Sequence, residues 1–109
     1  MNRIEAIKNN SSINVETVIE LIDSLYDYHP VDFKNGDVVN KAGTNDITCK
    51  LFAFAKLNAF TQEQTLACFG HYYQDVLDTP DATDHQNIRN FMQHSWNGVS
   101  FSGTALTQK

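Results

Sequence analysis

The sequence predicts an α+β domain, mostly helical, with four to five helices around one apolar helix and a small β component near 31–34 and 99–102. Three observations predict it. Apolar residues recur at helical spacing in several separate stretches. One stretch, 46–59, is apolar on nearly every side, as a helix covered on several faces must be. Two short stretches, at Val31 to Gly36 and Val99 to Ser102, alternate instead.

Ile4 and Ile7 mark a possible first helix, followed by a polar linker, Asn9-Asn10-Ser11-Ser12. Asn14 can then cap free backbone N–H groups, with Ile13 stapling onto Val18. Val15, Val18, Ile19, Ile22, Leu25 and Tyr26 form one stripe that runs to His29-Pro30, because the residue before proline avoids the α region. After the strand at 31–34, Asn35-Gly36 reads as a turn and Asp37 to Gly43 as loop. Thr44 or Asn45 caps the central helix from Asp46 to Ala59, which carries Ile47, Leu51, Phe52, Phe54, Ala55 and Leu57.

Thr61-Gln62-Glu63-Gln64 is a capping box, predicting a helix to about Leu77 with Leu66, Phe69, Tyr73, Val76 and Leu77 as its core stripe. Pro80 breaks the chain. Thr83-Asp84-His85-Gln86 is a second box, predicting a helix from Asp84 to about Trp96 that buries Ile88, Phe91, Met92 and Trp96. Asn97-Gly98 stops it. The alternating stretch at 99–102 is a candidate partner for the strand at 31–34, and the tail from Thr107 is expected to be loose.

The 109 residues suit a single domain, 1–109, with one buried core. A net charge of -5 and the lack of a Lys/Arg cluster argue against nucleic acid. No apolar run approaches bilayer length, so no membrane association is expected. Met1 to Asn14 lacks the apolar core of a secretory signal, and two cysteines outside any CxxC pair suit a reducing cytoplasm.

Asp84, His85 and Arg89 flank the apolar stripe of their helix and could form an acid–base or anion site. In the first helical turn His85 would be kept neutral by the helix dipole and could accept a proton. The structural alternative is favoured: these groups cap the helix and tie it to a neighbour. Cys68, His71 and Asp75, three and four residues apart, would share a helical stripe of metal-ligand types, with His94 or His29 as an outside fourth ligand. A buried-edge cysteine beside two solvated side chains is the simpler account. Lys50, a charge on the central helix, could enter a cleft with a depressed pKa, though snorkelling to water is favoured. Tyr72, Tyr73 and Trp96 read as core or its margin. Phosphate loops, HExxH and GxSxG are absent, so no catalytic motif is recognisable and no cofactor is implied.

Four stretches carry a family resemblance: Ala42 to Asn45 running into Cys49 to Ala55, Gln64 to Gly70, Asp84 to Met92, and Trp96 with Gly98, Val99 and Phe101. Phe33-x-Asn35-Gly36 adds to them, whereas the N-terminal third matches least. On these residues the chain resembles the HopJ family of type III effector proteins over nearly its whole length. The resemblance implies a bacterial protein delivered into host cells by a type III apparatus. It implies no enzymatic activity, cofactor or target, so its residues carry over as positions without roles. The expectation is a binding protein rather than an enzyme, engaging a host protein or a small ligand through Asn45, Lys50, Asp84, His85, Asn87 and Arg89. The alternative is a small cytosolic enzyme, or a metal- or ligand-binding housekeeping protein, using Cys68, His71 and Asp75 or Asp84 and His85. Oligomeric state is not legible.

Overall fold

A computed structural model describes residues 3–9 and 13–109. Asn10, Ser11 and Ser12 of the expected linker, and Met1 and Asn2 of the polar N-terminal segment, lie outside the described residues. The fold is α+β, with six α-helices among the described residues and two small antiparallel sheets. The helices are α1 (Arg3–Lys8), α2 (Val15–Leu25), α3 (Asp46–Leu57), α4 (Gln62–Ala67), α5 (His71–Asp78) and α6 (Gln86–His94). The strands are β1 (Tyr26–Tyr28), β2 (Phe33–Asn35), β3 (Val38–Asn40), β4 (Val99–Phe101) and β5 (Leu106–Gln108).

The predicted central helix is central. α3 buries Cys49, Leu51, Phe52, Ala53, Phe54 and Ala55, and its exposed residues are at its ends: Asp46 and Ile47, Lys56 and Leu57. Phe52 is the hub: its ring centroid lies 4.9 Å from Phe91, 5.7 Å from Phe69, and 6.1 Å from both Phe33 and Trp96. Edge-to-face and tilted contacts of this kind add to the area each ring buries. The three-stranded sheet, α6, the turn between α4 and α5, and a 3-10 turn at Ser95–Gly98 are therefore pinned to one side chain.

β2 forms the middle of a three-stranded sheet, β3-β2-β4. The expected pairing with the 99–102 stretch is present, with Phe33 opposite Phe101 and Asn35 opposite Val99. β3 was expected to be loop and is a strand. Gly36-Asp37 makes a two-residue hairpin loop in which Gly36, at φ +59, takes the first position, the one that needs positive φ in a II′ turn. Three residues are too few for alternation to register in the sequence.

α2 stops at Leu25, short of His29-Pro30, because Tyr26 already leads β1. β1 pairs with β5, Tyr28 opposite Leu106 and Tyr26 opposite Gln108. The tail expected to be loose is a strand. Its pairing is reinforced by His29 N–H donating to the Ala105 carbonyl at 2.7 Å and Lys109 N–H to the Leu25 carbonyl at 3.0 Å.

The single helix expected from Thr61 to Leu77 is two helices. The Thr61/Gln64 box forms as predicted. The chain then tightens through i+3 bonds at Cys68, Phe69 and Gly70, and Gly70 turns to φ +56. A Cβ there would lie 2.9 Å from the Ile13 carbonyl oxygen, so the segment entering α2 occupies the space a straight helix would need. The break rotates α5: Val76 stays buried, Tyr73 is half-buried, and Leu77 is exposed rather than core. Met92 of α6 is exposed too.

Ala59 closes α3 in the left-handed region at φ 56. Phe60 N–H bonds the Ala55 carbonyl at 2.9 Å and Ala59 N–H the Lys56 carbonyl at 3.3 Å, the Schellman pattern, with alanine where glycine is usual. A left-handed residue with a Cβ costs about 1–2 kcal/mol, against roughly 0.4–1 kcal/mol for the extra unfolded-state freedom of glycine. Ala59→Gly is therefore expected to stabilise the domain by about 0.5–1 kcal/mol in urea unfolding. Gly70→Ala should do the reverse by about 2 kcal/mol; a loss on Ala59→Gly would refute the first assignment and a gain on Gly70→Ala the second.

Candidate functional site

The start of α6 faces the β2–β3 hairpin, and asparagines hold the two together. Asn35 Nδ2 donates to the Asn87 carbonyl at 2.6 Å and to Asn87 Oδ1 at 3.2 Å. Asn40 and Asn87 pair reciprocally: Asn40 Nδ2 donates to Asn87 Oδ1 at 3.0 Å, and Asn87 Nδ2 to Asn40 Oδ1 at 2.8 Å. Asn45, at the cap of α3, donates to Asn40 Oδ1 at 2.6 Å. Asn90 Nδ2 reaches the Asn35 carbonyl at 3.2 Å. Asn35 is 0% and Asn40 1% exposed, so these amides are held by one another in place of water. Asn35 Oδ1 is the one buried side-chain polar atom without a partner among the described residues.

Beside the network opens a cleft of about 460 Å³, walled by β3, the first turn of α3, the start of α5 and the first turn of α6. Asn40, Asn45 and Asn87 line it with Tyr72, Thr48 and His85, and Val38, Phe69 and Ile88 are among its apolar lining. Val39 and Ile47, 56% and 43% exposed, form its lip. No Asp, Glu, Lys or Arg is among the lining residues.

His85 is not in the first turn of α6 but caps it, at φ 50 and ψ 46, with no side-chain capping bond. The helix begins at Gln86, so the expected Thr83–Gln86 box does not form, and Gln86 Nε2 donates instead to the Thr83 carbonyl. The cause is Arg89. Its guanidinium collects the Asp84 carbonyl at 2.5 Å, Asp84 Oδ1 at 2.8 Å, the Thr79 carbonyl at 2.9 Å, Thr79 Oγ1 at 3.2 Å and the Pro80 carbonyl at 3.3 Å. It thereby folds the α5–α6 connection onto the helix and delays the helix start. The imidazole of His85 lies 3.8 Å from Asp75 and 3.9 Å from Asp84, with its ring centroid 5.6 Å from that of Tyr72. The hydrogen bond from Arg89 is the main cause holding the Asp84 carboxyl below the usual carboxylate range, with the charges of His85 and Arg89 in support.

The six residues expected to share a surface thus divide. Asn45, Asn87 and His85 line the cleft, and Asp84 adjoins it through His85. Arg89 is taken up by the connection, the structural alternative. Lys50 is elsewhere: its ammonium pairs with Asp23 at 2.8 Å and lies 5.0 Å from the centre of the Tyr28 ring. Asn35 and Asn40 were missed because their amides meet Asn87 only through tertiary folding; Phe33-x-Asn35-Gly36 was the only sequence signal near them.

The metal alternative loses its geometry. The break at Gly70 separates Cys68 from the helix of His71 and Asp75. Cys68 is buried, and burial pushes its thiol up to about 12, whereas His71 and Asp75 are exposed. Of the suggested fourth ligands, His29 pairs with Thr107 at 3.1 Å and His94 packs on Gly36. Among the described residues no three His, Cys, Asp or Glu side chains are grouped to hold a metal ion. Cys49 is also buried. Burial is the main cause raising its thiol pKa, and burial with a 2.6 Å hydrogen bond to Asp46 likewise raises the Tyr28 hydroxyl.

Helices packed over small antiparallel sheets, with a neutral amide-lined cleft beside them, define an α+β domain. The family model described as HopJ type III effector protein matches residues 1–106, and the chain belongs to that family. The crystal structure of VPA0580, a protein of unknown function, is similar at 45% identity and a TM-score of 0.94, covering 100% of this chain and 95% of that one. No curated protein matches the chain. Among the described residues no helix is long and apolar enough to cross a membrane.

Replacing Arg89 by Ala should cost about 2 kcal/mol in urea unfolding, since its charged hydrogen bonds close the α5–α6 connection; a change under about 0.5 kcal/mol would refute that role. The same bonds give a pH signature. A carboxyl with a depressed folded pKa contributes stability above its unfolded pKa and loses it as pH falls through the folded value. In a carboxyl NMR titration Asp84 should have a midpoint below the usual carboxylate range, and Arg89→Ala should raise it.

Proposed function

We propose that this HopJ-family chain is a type III effector that acts by binding, presenting the cleft with its Val39 and Ile47 lip to a target inside the host cell. The observation that carries this reading is the cleft itself. Asn40, Asn45, Asn87, Tyr72 and His85 converge on one concave surface, and mutual hydrogen bonds fix the three amides. Prearranged directional groups beside exposed apolar ones give orientation and affinity together. A housekeeping role with a small ligand has its own support, because about 460 Å³ falls within the usual size range of small-molecule sites.

A reporter fused to the chain, active only in host cytosol, should signal from bacteria with a working type III apparatus and stay silent without it. Val39→Lys, an exposed change, should leave the delivered signal intact and abolish the phenotype of the delivered protein. Silence in both strains would overturn the effector reading and leave the housekeeping one.

A further inference from the structure

The amides of the cleft have a direction, set by one backbone group. The Asn87 carbonyl can only accept, so the atom facing it at 2.6 Å must be the Asn35 nitrogen. Asn35 then donates its second N–H to Asn87 Oδ1, which fixes Asn87; Asn87 fixes Asn40, and Asn40 fixes Asn45. The result is asymmetric. Asn87 Oδ1 accepts from Asn35 and Asn40, and Asn40 Oδ1 accepts from Asn87 and Asn45, so both oxygens are saturated. Asn40, Asn45 and Asn87 each give only one of two N–H groups to the chain, which leaves each a spare donor. One of these belongs to Asn40, a cleft-lining side chain only 1% exposed.

The backbone adds to the imbalance. α3 and α6 both begin at the cleft, and neither has a side-chain capping bond. Acceptors on the walls are the Asn45 Oδ1, the hydroxyls of Thr48 and Tyr72, and the Gln86 side-chain oxygen. Carboxylates come near at Asp46, in the first turn of α3, where it accepts from the Tyr28 hydroxyl at 2.6 Å, and through His85, where Asp84 is already paired with Arg89 at 2.8 Å and Asp75 stands 3.8 Å from the ring. Each helix start carries about +0.5 of a charge, and Asp46 offsets that of α3, so the cleft suits a monoanion better than a phosphate dianion with no Lys or Arg to meet it.

We propose that the cleft is a binding site for a small monocarboxylate with a short apolar body. The carboxylate takes the spare amide and first-turn N–H groups, and the apolar body lies on Val38, Val39 and Ile47. The proposal rests on the reading of this cleft as the recognition surface and names what it recognises.

The test is a ¹H–¹⁵N NMR titration of the full chain with butyrate, inorganic phosphate and butylammonium in parallel. Butyrate is expected to shift the side-chain amides of Asn40, Asn45 and Asn87 and the backbone signals of Ile47, Thr48 and Gln86 along one saturable curve. Phosphate should bind at least about tenfold more weakly, and butylammonium should leave those signals in place. Val39→Asp, an exposed substitution, should weaken butyrate by about tenfold or more with the rest of the spectrum unchanged, and Asn45→Asp, which also removes the bond to Asn40, should weaken it at least as much with added shifts confined to the amide chain. The proposal is overturned if butyrate fails to saturate by about 50 mM, if butylammonium moves the same signals equally, or if both variants bind as the parent does. Delivery into host cells is a separate readout. Butyrate binding without delivery would leave a ligand site in a protein that is not an effector; delivery without binding would discard this ligand class alone.

Discussion

Asn35 gives both its N–H groups to Asn87, and the arrangement of hairpin and helix follows from that. At 0% exposure an unmet amide would cost about 1–3 kcal/mol, so burying β2 is tolerable only with α6 opposite it. The same contact sets the height of α6 above the sheet, which brings Phe91 to 4.9 Å from Phe52. Packing and polar satisfaction therefore select one geometry together. A core of Phe52, Phe69, Phe91 and Trp96 could settle in several tilts; an amide chain anchored on a backbone carbonyl has far fewer.

Much of this was legible. The Thr61–Gln64 box, the Asn14 cap, the enclosed α3 and the pairing of β2 with β4 all follow from local chemistry, and each is present. The errors share one cause: a contact outside the helical pattern overrides a local preference. Ile13 breaks the α4–α5 helix at Gly70, Arg89 delays α6, and Tyr26 leaves its helical stripe for a strand partner at Gln108. The first and third contacts reach segments far away in the chain, and Arg89 acts on residues five to ten positions before it. The candidate site divides in the same way. Asn45, Asn87 and His85 were found because the ends of helices that present side chains can be read locally. Asn35 and Asn40 were not, because an asparagine beside a turn looks like turn chemistry until another chain segment meets it. Lys50 was misplaced because helical spacing gives its face of α3 but not which neighbour lies there.

The start of α6 serves two purposes with adjacent residues. Asp84 and Arg89 hold the connection, and His85 and Asn87 face the cleft. The rigidity that the first pair supplies is what lets the second present fixed hydrogen-bonding directions. The chain belongs to the HopJ family, and the binding proposed for it would draw on those fixed directions.

The pairing of β1 with β5 joins segments separated by most of the chain. Closing so long a loop is entropically expensive, and the two strands offer only three pairs in return. They gain from meeting only when the intervening helices have already shortened the distance between them. This ribbon should thus be the last part of the molecule to zip and the first to open, a slow latch on a fold whose hub forms without it.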